Sequence, residues 1–288
     1  MQTIHCQNKY EVDHLKGVKM TAADFDVLVG GNENAEVYKP NGDLLLSYRP
    51  DWFSKKLCYD SIDSCRAAVK KTNNRGTASG VPTVTRILKN GRTSSTTVAQ
   101  PVNSGIVGYF DRQARFPFCR QTSFLVQDAA KWSKFVPYIQ RADEGFRELA
   151  PARWESQKRY ADLTSNDWVI PQSTFTTVTI NKNWQTATHK DAGDLKQGMG
   201  VMSCLRNNKY EGAYLCFPSF RVAVDMSNGS IVVADVHEWH GNTPFVNIKT
   251  GYERITSVFY YREKMIQCKT AKEEVSIAKN RKTGDTMY

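Results

Sequence analysis

From residue 172 onward the chain alternates between short apolar runs and polar turns. The runs read STFTTVTI, GMGVMSCL, AYLCFPSFRVAVDM, SIVVADV and RITSVFYYRE, and the separators include NKN, RNNKYEG and SNGS. Short, evenly spaced runs rich in β-branched and aromatic residues predict a sandwich or jelly-roll barrel. Ahead of them the pattern is mixed. AEVYK and LLLSY flank PNGD, and TVTRILK and TSSTTVA flank NGR; Asn-Gly between such runs predicts a hairpin in each case. DSIDSCRAAVKKT (60–72) predicts a short helix with lysines in its last turn. NNRGTASGVP (73–82) and PVNSGIVGYFDRQARFPFCRQT (101–122) read as loops. Helical spacing returns at 127–148 and 152–161, with a break or kink expected at Pro137. Residues 263–288 predict a helix and then a disordered tail.

Composition narrows the class. With 288 residues, 40% hydrophobic and 11% aromatic, the chain has enough apolar side chains for a core that needs no staples. No apolar run approaches the ~20 residues of a membrane span, and the polar start MQTIHCQNKYEVDHLKG carries no secretory pattern. Seven cysteines without a C-x-x-C pair argue against a disulfide framework or a zinc ribbon and for a reducing cytosol, a cytoplasmic setting. The formal charge of +10, with clusters such as RILKNGR (86–92), favours a polyanionic partner, most simply nucleic acid.

Three of the five histidines lie in two short pieces, THKD (188–191) and HEWHGNT (237–243). His189 and Asp191 are two apart. At the end of a strand both side chains point to one face, whereas on a helix they diverge by roughly 200°. An imidazole and a carboxylate on one face suit a divalent metal. A second histidine from a distant strand completes a two-histidine, one-carboxylate facial set, which leaves positions open as non-haem Fe(II) oxygenases require. His240 is the better third ligand, because it follows SIVVADV and Gly241 lets the chain turn away; His237 is left for the surface or a supporting role. Arg254 opens the last strand, and Thr256 shares its face, giving a fork for a carboxylate.

This order and spacing resembles the Fe(II)/2-oxoglutarate dioxygenases. Residues 105–262 look most like the TET/JBP family, in its compact phage-type form, through GIVGYFDR, FCRQTSF, FTTVTINKNWQTATHKD, EGAYLCFP, NGSIVVADVHEWHGNTPF and RITSVFYYR. The cysteine-rich zinc-binding insertion of the animal enzymes has no counterpart here. The resemblance implies an α+β, mainly β fold: a double-stranded β-helix (jelly-roll) core with supporting helices and an N-terminal α/β extension. Residues 1–104 would form the extension packed on the core, 105–265 the dioxygenase domain, and 266–288 a basic C-terminal helix and tail. It further implies Fe(II) at His189, Asp191 and His240, 2-oxoglutarate at Arg254 and Thr256, O2 as co-substrate and ascorbate as reductant. Arg120 is a further cosubstrate candidate or a loop arginine, and Asn181 and Asn183 are pocket or turn residues. Trp184 and Trp239, with Tyr214, Phe217 and Phe245, are aromatic candidates for stacking on a flipped base. The implied reaction is hydroxylation of a 5-methylpyrimidine in DNA, 5-methylcytosine ahead of thymine, with no membrane and no obligate protein partner. A dioxygenase of protein side chains or small molecules, a non-catalytic nucleic-acid module and a zinc jelly roll stand as alternatives. The joint presence of the three ligands and Arg254 weighs against the last two.

Overall fold

The computed structural model describes residues 1–80, 83–97 and 100–281. Its first strands are β1 (Gln2–His5), β2 (Val27–Gly30), β3 (Ala35–Tyr38), β4 (Leu44–Arg49) and β5 (Lys70–Thr72). A separate hairpin, β6 (Thr83–Ile87) and β7 (Thr93–Thr97), precedes β8 (Val102–Phe110) and β9 (Arg120–Gln121). The later strands are β10 (Thr177–Lys182), β11 (Gly200–Arg206), β12 (Glu211–Gly212), β13 (Leu215–Phe217) and β14 (Val222–Asp225). They end with β15 (Ser230–Ala234), β16 (Gly241–Asn242), β17 (Phe245–Val246) and β18 (Arg254–Tyr260). The helices are α1 (Lys55–Ala68), α2 (Ser123–Gln127), α3 (Ala129–Leu149), α4 (Pro151–Leu163) and α5 (Ala271–Asn280).

The main sheet runs β1-β3-β4-β15-β11-β18-β10-β8-β5, with β9 paired to β8. A smaller sheet, β16-β13-β14-β2, packs on one of its faces. Both faces of the main sheet are covered, which is why its central strands are nearly all apolar rather than alternating. On β15, Ile231 and Val233 pack with Phe135, Tyr138, Ile139 and Phe146 of α3. Val232 and Ala234, one step out of phase, pack with Phe217, Val222 and Val224 of the smaller sheet. Each such side chain contributes roughly 1.5–3 kcal/mol when buried. Two sheets with helices against the outer face of the larger one make the mainly β, jelly-roll-type core that the strand pattern predicts.

Several expectations need correction. Residues 102–110 form the longest strand rather than a loop, because pairing with β10 supplies what their glycines and polar residues do not. Gly105 is there for room: a Cβ would collide with the Ala68 carbonyl at the end of α1. The first 104 residues are not only a layer packed on the core: α1 packs there and β6–β7 stands apart, but other strands enter the sheets themselves. β4 pairs antiparallel with β15, and β2 pairs parallel with β14, so they extend both sheets. The first helix spans 55–68, and the lysines read as its last turn lie in β5. Helix α3 continues through Pro137, held on both sides of it by buried Phe135, Tyr138 and Ile139. Cys119 and Cys268 are disulfide-bonded, against the expectation from the odd count; the bond ties the stretch after β8 to the segment before α5. The disordered tail was expected at residues that mostly fall in 282–288, outside those described.

Candidate metal centre and its cavity

THKD and HEWHGNT, fifty residues apart, pair with each other. The His189 N–H donates to the His240 carbonyl and the His240 N–H to the His189 carbonyl, both at 2.9 Å. The Asp191 N–H donates to Val236 O and the Asn242 N–H to Thr186 O, extending the pairing on either side. Gly241 serves this approach rather than a turn: a Cβ there would lie 2.9 Å from the Ala187 carbonyl oxygen. The result brings one donor atom each from His189, Asp191 and His240 within 4.8 Å of one another. The two imidazole rings stand 4.4 Å apart, centroid to centroid.

Both histidines are oriented from behind. His189 Nδ1 lies 2.8 Å from the Ala187 carbonyl and His240 Nδ1 3.0 Å from the Glu238 carbonyl. A carbonyl only accepts, so the proton sits on Nδ1 and Nε2 keeps its lone pair, as a metal ligand requires. Asp191 reaches both, with oxygens 3.4 Å from His189 Nε2 and 3.9 Å from His240 Nε2. Burial, reinforced by the neighbouring His189, pushes His240 down to about 4, so it is a neutral ligand at ordinary pH. Burial also opposes charge on His189 and Asp191, but the pairing of a protonated His189 with the Asp191 carboxylate outweighs it, raising the imidazole and lowering the carboxyl; a divalent metal would take the place of that Nε2 proton. Two neutral-capable nitrogens and one carboxylate on one face fit a divalent iron with open positions. His237 is not among the candidate ligands: its Nδ1 lies 3.1 Å from Asp235, which also pairs with Lys39.

The three candidate ligands line a cavity of about 420 Å³. Thr179 and Asn181 of β10, Met202 of β11, and Arg254, Thr256, Val258 and Tyr260 of β18 form its main-sheet wall, and Leu215, His240 and Asn242 the opposite one. Residues 74–78 cover one side, tied by the Ala187 N–H to Ala78 O at 2.9 Å. Arg254 is 5% exposed and enters no ion pair among the described residues, which leaves its guanidinium ready for a carboxylate. Thr256 stands beside it in the same wall, as period two predicts.

The remaining candidates divide. Asn181 and Trp184 line the cavity, and the buried Trp184 Nε1 has no partner. Asn183 is a turn residue with φ +48°, and its side chain accepts from the Arg254 N–H at 2.7 Å. Trp239 donates to Asp13 at 2.6 Å and carries Lys190 over its ring, outside the cavity wall. Tyr214 packs on Phe25, Phe217 is core, and Phe245 clusters with Tyr210 and Tyr252. Arg120 is no cavity residue; its guanidinium lies 4.6 Å over Phe110 and 4.2 Å over Phe116. The sequence pattern alone did not point to Arg75, Asp194, Asn242, Tyr260 and Arg262, all in the wall. Carrying period two on from Arg254 reaches Tyr260 and Arg262, and two steps from His240 reaches Asn242. Arg75 and Asp194 give no local signal. Burial, and then the Asp191 charge, hold the Asp194 carboxyl well above the ordinary range, opposed by Arg262.

Comparison with known proteins agrees with this geometry. The Tet/JBP family, described as the oxygenase domain of the 2OGFeDO superfamily, matches residues 105–263. Thymine dioxygenase JBP1 of Leishmania braziliensis is 37% identical over 166 residues, which are 55% of this chain and 20% of that protein. Thymine dioxygenase JBP1-B of Trypanosoma cruzi (strain CL Brener) is 36% identical over 165 residues, covering 55% and 19%. The chain thus spans about a fifth of the length of these curated relatives. The solved structure of NgTET1 in complex with 5mC DNA has a TM-score of 0.59 at 15% identity, covering 88% of this chain and 90% of that one, a likeness of fold. The family match takes in more than half of the chain and encloses every candidate ligand and both members of the Arg254–Thr256 pair, so this chain belongs to the Tet/JBP family of 2-oxoglutarate and Fe(II) oxygenase domains.

Proposed function

We propose that this chain is an Fe(II)/2-oxoglutarate-dependent dioxygenase that hydroxylates the methyl group of a 5-methylpyrimidine in DNA. The observation that carries the reading is one cavity shared by the His189–Asp191–His240 set and the unpaired Arg254 with Thr256. When bound, iron with 2-oxoglutarate and O2 supplies the oxidant for methyl hydroxylation, with succinate and CO2 as co-products; ascorbate keeps the metal reduced. The protein's part is positioning. His189 and His240 present Nε2, and Asp191 adds one carboxylate oxygen. Arg254 would hold the distal carboxylate of 2-oxoglutarate by charge-assisted hydrogen bonds, and the Thr256 hydroxyl would add a neutral one. Ile106, Met202, Leu215 and Val258 line the same space and make part of its wall apolar.

A cavity of about 420 Å³ is the size of a small-molecule site, not of a duplex. A base in a duplex reaches it only when flipped out of the stack. The free Trp184 Nε1 is a donor waiting for a polar atom of such a base. The names of the curated relatives support thymine, and the bound DNA of the structural neighbour supports 5-methylcytosine. The methyl group sits at the same ring position in both, so the reading commits to the class. The charge of +10 supports DNA over a protein or small-molecule substrate, and with it an intracellular place of work.

The test offers 5-methylcytosine DNA, thymine-only DNA and free nucleotides side by side, with Fe(II), ascorbate and 2-oxoglutarate, followed by mass spectrometry of nucleosides. A hydroxymethyl base in one of the polymers is expected. Product from the free nucleotide but from neither polymer rejects the DNA reading and keeps the dioxygenase one.

A further inference from the structure

A second cavity, about 340 Å³, opens beside the first and shares Asn74, Arg75 and Ile106 with it. Its wall includes Lys70, Lys71 and Arg75, three cations. The carboxylate in the wall, Asp128, is already paired with Lys131 at 3.2 Å. Lys70 and Lys71 lie on β5, the last strand of the main sheet, so among the described residues one side of that backbone has no neighbouring strand. Arg75 is held by its Nε–H, which donates to Ser104 Oγ at 2.7 Å; that hydroxyl in turn donates to Asn181 Oδ1 at 2.6 Å. No carboxylate among the described residues pairs with Arg75, and burial lowers its pKa. The half-buried Arg75 guanidinium is thus fixed at one edge and free of any carboxylate at the other, where it can meet an anion. A second group points the same way: Thr122, 2% exposed and in the same wall, has a hydroxyl without a partner.

We propose that this groove is a phosphate-binding track for the DNA strand on one side of the flipped nucleotide, with Arg75 at the junction and Lys70, Lys71 and Thr122 along it. The proposal rests on the DNA reading above and adds where the strand runs. A base inside the first cavity leaves its sugar and phosphates at the mouth, and the next phosphate along the strand lies where the two cavities share Asn74 and Arg75. Contacts of this kind position the strand and carry no sequence information. Arg75 also links the track to the site, since Ser104 passes its orientation to Asn181 in the cavity wall.

The experiment is a fluorescence-polarisation titration of a labelled, 5-methylcytosine-containing oligonucleotide against the full chain at several salt concentrations. Lys70→Gln with Lys71→Gln is compared with wild type and with a matched control, Lys55→Gln with Lys56→Gln. The control pair lies at the far end of α1, roughly 20 Å away at 1.5 Å per residue. The groove pair should weaken binding and lower the slope of log affinity against log salt by roughly 0.7–0.9 for each phosphate no longer neutralised. Arg75→Gln, with its melting temperature checked, should lower the slope by about one further phosphate and raise the KM for the oligonucleotide. The control pair should change the slope less. Wild-type binding with an unchanged slope in the groove variants overturns the track and spares the DNA reading. A wild-type chain that fails to bind the oligonucleotide even at low salt overturns both.

Discussion

Arg254 and Arg120 carry the same charge, and the sequence offers both to the same carboxylate, yet they end in opposite surroundings. Arg254 begins β18, which has β10 on one side and β11 on the other, so two ladders set its position. Asn183 adds a side-chain bond to its backbone N–H at 2.7 Å. Arg120 lies in two-residue β9, at the end of a loop, and its guanidinium settles over Phe110 and Phe116. Burial and the nearby Arg262 disfavour its charge, and one of its nitrogens has no partner. A strand in the middle of a sheet aims a side chain through register, whereas a loop residue goes to whatever local surface receives it.

The largest test of this contrast is in the ligand set. Asp191→Ala or His240→Ala should abolish succinate formation with little change in melting temperature, while His237→Ala should retain most activity. Equal inactivation by His237→Ala and His240→Ala, with folding intact, would remove the reason for separating them. Next, Arg254→Met should raise the 2-oxoglutarate requirement by roughly 10- to 100-fold, the scale of a charge-assisted hydrogen bond removed. Arg120→Met should leave that requirement unchanged and shift stability by no more than ~1 kcal/mol, the scale of its ring interactions. If the two arginine variants behave alike in a 2-oxoglutarate titration, the contrast fails. Thr256→Val should cost about 1 kcal/mol, or roughly fivefold in the same titration.

The smallest effect concerns Glu253, just before β18. It pairs with Arg66 of α1 at 2.7 Å and Lys182 of β10 at 2.8 Å, fastening the start of the Arg254 strand. The hydrogen bond from Arg66, against some burial, lowers its carboxyl from 4.5 to about 2. A carboxyl depressed in the folded state stabilises above its unfolded pKa and loses that contribution as pH falls. Glu253→Gln should therefore be less stable than wild type at neutral pH, by less than ~1 kcal/mol for so accessible a pair. The difference should close between pH 4.5 and about 2. A gap in denaturant midpoints that stays constant across this range would show that the ion pairs contribute nothing.

The candidate ligands were legible because each depends on a short stretch. His189 and Asp191 share a side through i, i+2 spacing, Arg254 and Thr256 through the same rule, and the apolar runs around them mark buried strands. The helix of α3 was legible from its spacing, while Pro137 misled because packing against the sheet outweighs a local break. Residues 102–110 misled for the opposite reason: their glycines and serine look like a loop until β10 is beside them. Trp239 and Asn183 were plausible by proximity in sequence to the metal set, but their side chains are committed to Asp13 and to the β18 turn.

The sequence by itself determined which side chains make up the candidate metal set and which arginine opens the last strand, since period two acts between neighbours in the chain. The tertiary structure alone decided that residues 27–49 complete both sheets, that Cys119 meets Cys268, and that Arg75 and Asp194 enter the cavity. These choices depend on partners far along the chain, such as β15 for β4 and Ser104 for Arg75. No local pattern encodes such a meeting, because it is the burial of both sheet faces together that selects it.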